Sequence, residues 1–288
     1  MNLLKKTLDD LNKNRDFHRD LLRDPLSFVH RYHHQNDREI AAVFASALAY
    51  GRVSLFFPVI EALLSEADQQ GGPYRWIQTF NRQSAKRISS IYYRLNKAPD
   101  FALLAISLQG VLKEHPSLEH LFKKGYHRND RDFDPALTCF VDSLRKSAQK
   151  HAHIIEHKDA LPRGFRHFLP SPETGSACKR WNLFLRWMIR TEFPDLGLWD
   201  LPTRKLTIPL DVHVHQISTL LGLSTKKSAN NRSAKEITNA LRKLDDQDPV
   251  RYDFPIAHLG ISGACQKKYV PNICTKCVVN NICTLEKR

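Results

Sequence analysis

The chain has 288 residues, 42% of them hydrophobic and 26% charged, a balance that supports a folded core and excludes disordered and fibrous classes. Its 44 Lys and Arg against 30 Asp and Glu leave a formal charge of +14, so a polyanion is the natural partner. No stretch approaches the ~20 apolar residues of a spanning helix, and no membrane partner is expected.

The first segment, MNLLKKTLDDLNKNRD, alternates charge within a helical pattern and has no apolar h-region. It does not read as a signal peptide, and a cytoplasmic location is expected. In that reducing compartment the six cysteines read as ligands or core thiols, not disulfides. Asn36 followed by Glu39 suggests a capping box opening a helix whose face runs through Ile40, Val43, Phe44 and Ala47 to Leu48, with Gly51 interrupting the pattern.

Further amphipathic stretches lie near 57–68, 85–95, 100–114, 134–149, 177–190, 212–221, 233–244 and 249–260, separated by loops at 69–73, 96–100, 127–135, 161–175 and 193–202. No run of alternating strands interrupts them, and the expected class is all-α. Cys139, inside an apolar helix, reads as a core residue, and Cys178 as a helix-surface thiol. The histidine groups His30, His33, His34 and His151, His153, His157 lack carboxylates at ligand spacing and read as surface or phosphate-facing.

From Leu161 to Arg190 six cations, Arg163, Arg166, Lys179, Arg180, Arg186 and Arg190, stand against Glu173 alone. Gly175-Ser176 at the centre reads as a helix-entry anion site where backbone N–H groups meet a phosphate. The alternative is an ordinary solvated helix face. Trp181, Phe184, Leu185 and Met188 form an apolar stripe expected in the core.

IPLDVHVHQISTLLGL, residues 208–223, admits two drawings. As a strand it would place Asp211, His213 and His215 on one face as a metal triad; as a helix it scatters them. Pro209 before Leu210-Asp211, apolar Val214, Ile217 and Leu221, and Gly222 beyond them predict a helix with Asp211 at its start.

The tail holds Cys265, Cys274, Cys277 and Cys283, with eight, two and five residues between successive members. Four thiols so concentrated suit a tetrahedral Cys₄ site. Zinc sites of this kind usually pair two Cys-x-x-Cys knuckles. Only Cys274 and Cys277 form one here, which favours a [4Fe–4S] cluster over zinc. Lys267, Lys268 and Lys276, with Lys287 and Arg288 beyond, could present cations to a phosphate backbone or be merely solvated.

The motif PLDVHVHQI, the segment DPVRYDFPIAHLGISGACQKK and the four-cysteine loop together resemble the helix-hairpin-helix DNA glycosylases, in particular the endonuclease III and adenine-glycosylase branch with its C-terminal [4Fe–4S] loop. PLDVHVHQISTLLGL, GSACKRWNLFLRWMIR and EIAAVFASALAYGRV resemble more closely an uncharacterised bacterial group, a domain of unknown function related to these glycosylases. The first interval of the cysteine loop is longer than the family's usual one. LPSPETGSACKR stands where the DNA-binding hairpin belongs, with Gly175 alone matching.

The resemblance implies a two-domain, all-α fold. Residues 36–190 would form a central domain ending in the hairpin-like region, and residues 1–35 with 191–288 a second one carrying the cluster loop at 265–283. It implies a base-excision repair glycosylase acting on duplex DNA with a damaged or mispaired base, as a nucleoid-associated monomer. Asp211 would be the catalytic carboxylate. Lys179 is the candidate for a lyase step, because Ala177 occupies the position of the family's usual lysine. Gly175, Ser176, Arg180, Lys267 and Lys268 would contact DNA, and Leu48, Tyr50 and Arg52 are candidates for wedge or pocket, with buried Leu48 and packed Tyr50 as the plainer readings. The alternative is a non-catalytic iron–sulfur nucleic-acid-binding protein on the same scaffold.

Overall fold

The computed structural model describes residues 3–158, 160–261 and 265–285, and among them there are helices and no strand, with one isolated bridge between Tyr93 and Asn96. The order begins with α1 (Leu3–Lys13), α2 (Phe17–Leu21), α3 (Leu26–Val29), α4 (Gln35–Leu48) and α5 (Val53–Gln69). It continues with α6 (Pro73–Gln78), α7 (Arg82–Arg87), α8 (Ala98–Glu114), α9 (Leu118–Lys124), α10 (Asp134–His151) and α11 (Arg163–Phe168). The last five are α12 (Lys179–Ile189), α13 (Val212–Leu220), α14 (Asn231–Arg242), α15 (Asp253–Ile261) and α16 (Pro271–Cys274). None is long and apolar enough to cross a membrane.

Helix α8 is buried without interruption from Asp100 to Val111, as expected for a helix apolar all round. It packs along α10, where Ser107 Oγ donates to Leu144 O at 2.6 Å and Ser147 Oγ to Ser107 O at 2.8 Å. Gln109 Nε2 ties α8 to the end of α6 through the carbonyls of Ile77, Gln78 and Phe80. Helix α4 packs against α3, α6 and α12, which fixes the ends of α4 and α12 side by side. Helix α1 packs on α15, and Tyr252 Oη donates to Asp9 Oδ1 at 2.5 Å, so segments from the two ends of the chain meet.

Several expectations are corrected. Glu39 is no cap: it is buried and accepts bonds from Leu118 N at 2.7 Å and Trp199 Nε1 at 2.8 Å, because α4 is covered on every side from Glu39 to Leu48. The stretch 85–95 is only the end of α7 followed by a turn, and 161–175 contains α11. Cys139 is exposed, since the buried stripe of α10 runs through Ala136, Leu137, Phe140, Val141 and Leu144 and leaves it outside. Cys178 is buried at the left-handed residue that precedes α12, and burial pushes its thiol up to about 12.

A candidate active-site cleft

Asp211 caps α13 from extended backbone, and its Oδ1 accepts from Val214 N at 2.9 Å. The cap, apolar residues on one side and left-handed Gly222 beyond the end make the helix the local solution. His213 is exposed and His215 buried, so the strand drawing and its metal triad fail. Capping occupies one carboxylate oxygen. The other, Oδ2, faces Lys179 Nζ at 4.0 Å, with the Asp211 side chain 29% and the Lys179 side chain 27% exposed.

Both side chains line a cleft of about 820 Å³ between the α4–α5 turn, the start of α12, the start of α13 and one face of α15. Lys179 Nζ donates to Ala49 O at 2.9 Å, which anchors the amine against the end of α4 and aims it at Asp211. Tyr50 and Arg52 line the same cleft. Tyr50 is a fixed wall: its hydroxyl bonds Asn96 Oδ1 at 2.6 Å, and burial pushes it up to about 12. Arg52 is exposed and precedes α5.

Gly51 makes this turn possible. Its φ is +82°, and an added Cβ would stand 2.5 Å from Tyr93 Oη and 2.6 Å from Arg94 Nη1. Tyr93 Oη itself donates to Tyr50 O, so a side chain at Gly51 would strain the backbone and displace that donor. Gly51→Ala is expected to cost roughly 1–3 kcal/mol in urea unfolding, from left-handed strain plus overpacking.

Arg180, expected to meet phosphate, lies in the cleft wall but turns inward: Nη1 donates to Ala47 O at 2.8 Å and Nη2 to His167 O. It braces the end of α4 against α11. Leu48 is fully buried and does not reach the cleft surface. Gly175 is exposed in the left-handed region, with Ser176 Oγ accepting from Cys178 N at 3.2 Å; neither lines the cleft, and Gly175 O instead accepts from Asn231 N at 3.1 Å. The turn thus docks on the start of α14.

Sequence reasoning missed the floor of the cleft. Arg186 and Arg190 are not solvated: Arg186 is 3% exposed and bonds Asp195 Oδ1 at 3.2 Å and Asp253 Oδ2, while Arg190 bonds Asp195 Oδ2 at 3.2 Å and Asp248 Oδ2 at 2.6 Å. Asp253 also lines the cleft, and its Oδ1 has no hydrogen-bond partner among the described residues. Burial pushes Asp253 up to about 6 against the pull of Arg186, and the charge of Asp211 adds to the rise. Asp24 lines the cleft too, raised by burial and opposed by Arg186. The signal available in the sequence was Asp253 in the otherwise largely apolar YDFPIAHLG segment, together with Arg180 and Arg186 within the apolar α12 and Arg190 at its end, all needing partners.

Two imidazoles by the cleft give it an acid sensitivity. Burial, and then the charges of Arg180 and Arg163, hold His167 down to about 4; burial, and then Arg15, hold His258 down to about 4. Each binds its proton in the unfolded chain first, so its contribution is present above the ordinary 6.5 and lost as pH falls from there towards 4. His167→Gln is expected to lessen the loss of stability between pH 6.5 and 4.5 by about 1 kcal/mol per pH unit, discounted for partial exposure, in urea unfolding. Asp253 acts in the opposite sense between 3.8 and about 6, equally in both proteins.

The cysteine loop lies beside α13. Lys267 Nζ is 2.9 Å from His213 Nδ1, and Thr284 N donates to Leu220 O at 2.8 Å. Lys268 and Lys276 are exposed, and Lys287 and Arg288 lie outside the described residues. Lys267 N points to Cys265 Sγ at 3.3 Å and Val270 N to Cys274 Sγ at 3.3 Å. Burial raises the Cys277 thiol, a hydrogen bond with the Val279 backbone opposes the rise, and the charges of Cys265, Cys283 and Cys274 add to it. Among the described residues no three His, Cys, Asp or Glu side chains are arranged to hold a metal ion as they stand.

A family model matches residues 24–262, which is most of the chain and includes every side chain of the cleft except Arg23. The chain belongs to the DUF2400 family. The family is described as a protein of unknown function. The DUF2400 match covers Lys179, Asp211 and Asp253 and stops short of Cys265, so the cleft lies within the family's common part and the cysteine loop beyond it. No curated protein and no solved structure matches the chain.

Proposed function

We propose that this chain is a DNA glycosylase that breaks the N-glycosidic bond of an extruded nucleotide in the cleft between α4, α12, α13 and α15. The observation that carries the reading is the Asp211 carboxylate: one oxygen is pinned by Val214 N, the other opens on a cleft of about 820 Å³ beside a cation. That volume lies within the ~300–1,000 Å³ of ligand pockets. Base flipping delivers the nucleoside. As the C1′–N bond breaks, the base leaves with the electron pair and positive charge grows on the sugar. Asp211 stabilises that charge and takes the proton of the water that attacks C1′.

Lys179 holds the cleft edge through Ala49 O, and its amine is near enough to Asp211 to compete with water for C1′. Borohydride trapping of a covalent adduct tests that branch, with the adduct expected to vanish in Lys179→Gln. The positive net charge and the exposed Arg52, Lys268 and Lys276 would hold the phosphate backbone.

Cys265, Cys274, Cys277 and Cys283 would hold a [4Fe–4S] cluster, zinc being the lesser alternative. The all-thiol donor set, its spacing in one loop and the backbone N–H groups aimed at two of the sulfurs fit such a group. When bound it would supply a cross-link that folds the loop beside α13. Brown protein with iron and acid-labile sulfide is the expected preparation; a colourless zinc-loaded one contradicts the cluster.

A second reading, a non-catalytic iron–sulfur nucleic-acid-binding protein, is favoured by one fact: an Asp capping a helix with a lysine at 4.0 Å also meets the needs of a plain helix cap. Incubation with duplexes carrying a panel of damaged and mispaired bases separates the two. Abasic sites on at least one duplex, absent with Asp211→Asn, support the glycosylase. Binding without turnover in both proteins supports the second reading.

A further inference from the structure

A second concave site lies away from the cleft. A recess of about 580 Å³ is lined by Arg128 and Arg131 from the α9–α10 loop, Arg204 and Lys205 from the segment before α13, and Arg242 and Lys243 at the end of α14. It shares no lining residue with the cleft. The start of α14 receives the Gly175 turn, so the recess stands at the other end of that helix, roughly 16 Å along its axis.

The charge there is not balanced from within. Among the described residues none of the six cations forms a salt bridge, although Lys235, about two turns before Arg242 on the same face of α14, pairs with Asp132 and Asp134. Two carboxylates belong to the lining. Asp130 accepts from His127 N at 3.1 Å, and Asp246 is exposed. Two of the cations are fixed by neutral acceptors: Lys205 Nζ by the carbonyls of His127 and Arg128 at 3.1 and 2.7 Å, and Arg242 by Asn239 Oδ1 at 2.5 Å and Arg204 O at 3.2 Å. Arg128, Arg131, Arg204 and Lys243 are exposed around them. Burial, and after it the charge of Arg131, push Arg242 below its ordinary value against the smaller opposing pull of Asp132. The carbonyl end of α14 favours cations and accounts for Arg242 and Lys243, but not for three arginines brought from other segments.

We propose that this recess binds a ligand with adjacent phosphate groups, held by the guanidinium groups of Arg128, Arg131, Arg204 and Arg242 with Lys205 and Lys243 beside them. Arginine matches phosphate oxygens in pairs, and six cations that outnumber the two lining carboxylates and pair with neither are relieved by an anion that bridges them. A compact polyphosphate and a nucleic-acid backbone share this chemistry. The site does not depend on the glycosylase reading.

The test uses the full chain, inorganic tripolyphosphate and, separately, a short fluorescent duplex. Tripolyphosphate is expected to bind one to one by calorimetry, and the Arg128→Glu/Arg131→Glu double variant, altered at two exposed positions, to weaken it about tenfold or more. Lys243→Glu, on a different element, gives the same direction of change, while Asp211→Asn leaves the affinity unaltered. If the duplex, and not tripolyphosphate, loses affinity in these variants and the salt dependence of its binding falls by about two ions, the phosphates are those of a nucleic-acid backbone, and the site stands. If neither probe distinguishes wild type from the variants, with circular dichroism showing all of them folded, the proposal is overturned.

Discussion

Arg186→Met is expected to destabilise the protein by about 3–5 kcal/mol, out of the roughly 5–15 kcal/mol that separates folded from unfolded domains. Arg186 lies in the floor of the cleft with its guanidinium between Asp195 and Asp253. Methionine fills most of the space and removes the charge. Asp195 keeps Arg190 at 3.2 Å, but Asp253 is left buried with no cation. The loss comes mainly from that stranded carboxylate, so removing it as well, in Arg186→Met/Asp253→Leu, should recover much of the stability.

The same variant has a signed pH dependence. Asp253 is already raised, to about 6 from 3.8, so its contribution is present at low pH and lost as pH rises through that window. Without Arg186 the carboxyl rises further and folds readily only when protonated. The Arg186→Met penalty should therefore be smaller at pH 5 than at pH 8, as read from urea unfolding of variant and wild type at both values. An equal penalty at the two pH values would show that Asp253 does not depend on Arg186.

Asp211→Asn is expected to lower single-turnover base release by about 10²–10⁴-fold with little change in folding. Asparagine caps helices about as well as aspartate, so Oδ1 can still accept from Val214 N and the helix start survives. What disappears is the charge facing Lys179 and the cleft, with its capacity to take a proton from water. Duplex affinity should change far less than rate. Substituting Ala, which removes cap and charge together, would add about 1 kcal/mol of destabilisation and blur the comparison.

The parts of this protein legible in its sequence are those decided locally. The helix beginning after Asp211 follows from a cap, apolar spacing and Gly222, all within a dozen residues, and helices dominate because the apolar residues recur at helical intervals. The direction in which a side chain points depends on what arrives from elsewhere. Arg186 and Asp253 are 67 positions apart, and the apolar neighbours of Arg186 signal that it needs a partner without revealing which acid supplies it. Glu39 has the spacing of a cap and is drawn into the core by Trp199, 160 positions away. Cys139 and Cys178 exchange their expected environments because the phase of α10 and the left-handed entry to α12 are set by packing. Among the candidate site residues, Lys179, Asp211, Tyr50 and Arg52 converge on one cleft, whereas Gly175, Ser176 and Leu48 do not line it and Arg180 turns away within its wall.

The most direct measurement of the central claim is binding to a duplex whose target sugar is replaced by a cationic pyrrolidine, compared with the same duplex bearing a neutral abasic ring. A carboxylate placed to stabilise positive charge at C1′ should make wild type prefer the cationic sugar by about 100-fold or more, and Asp211→Asn should lose that preference while binding the neutral duplex as before. Equal affinity of wild type for the two duplexes would contradict the account.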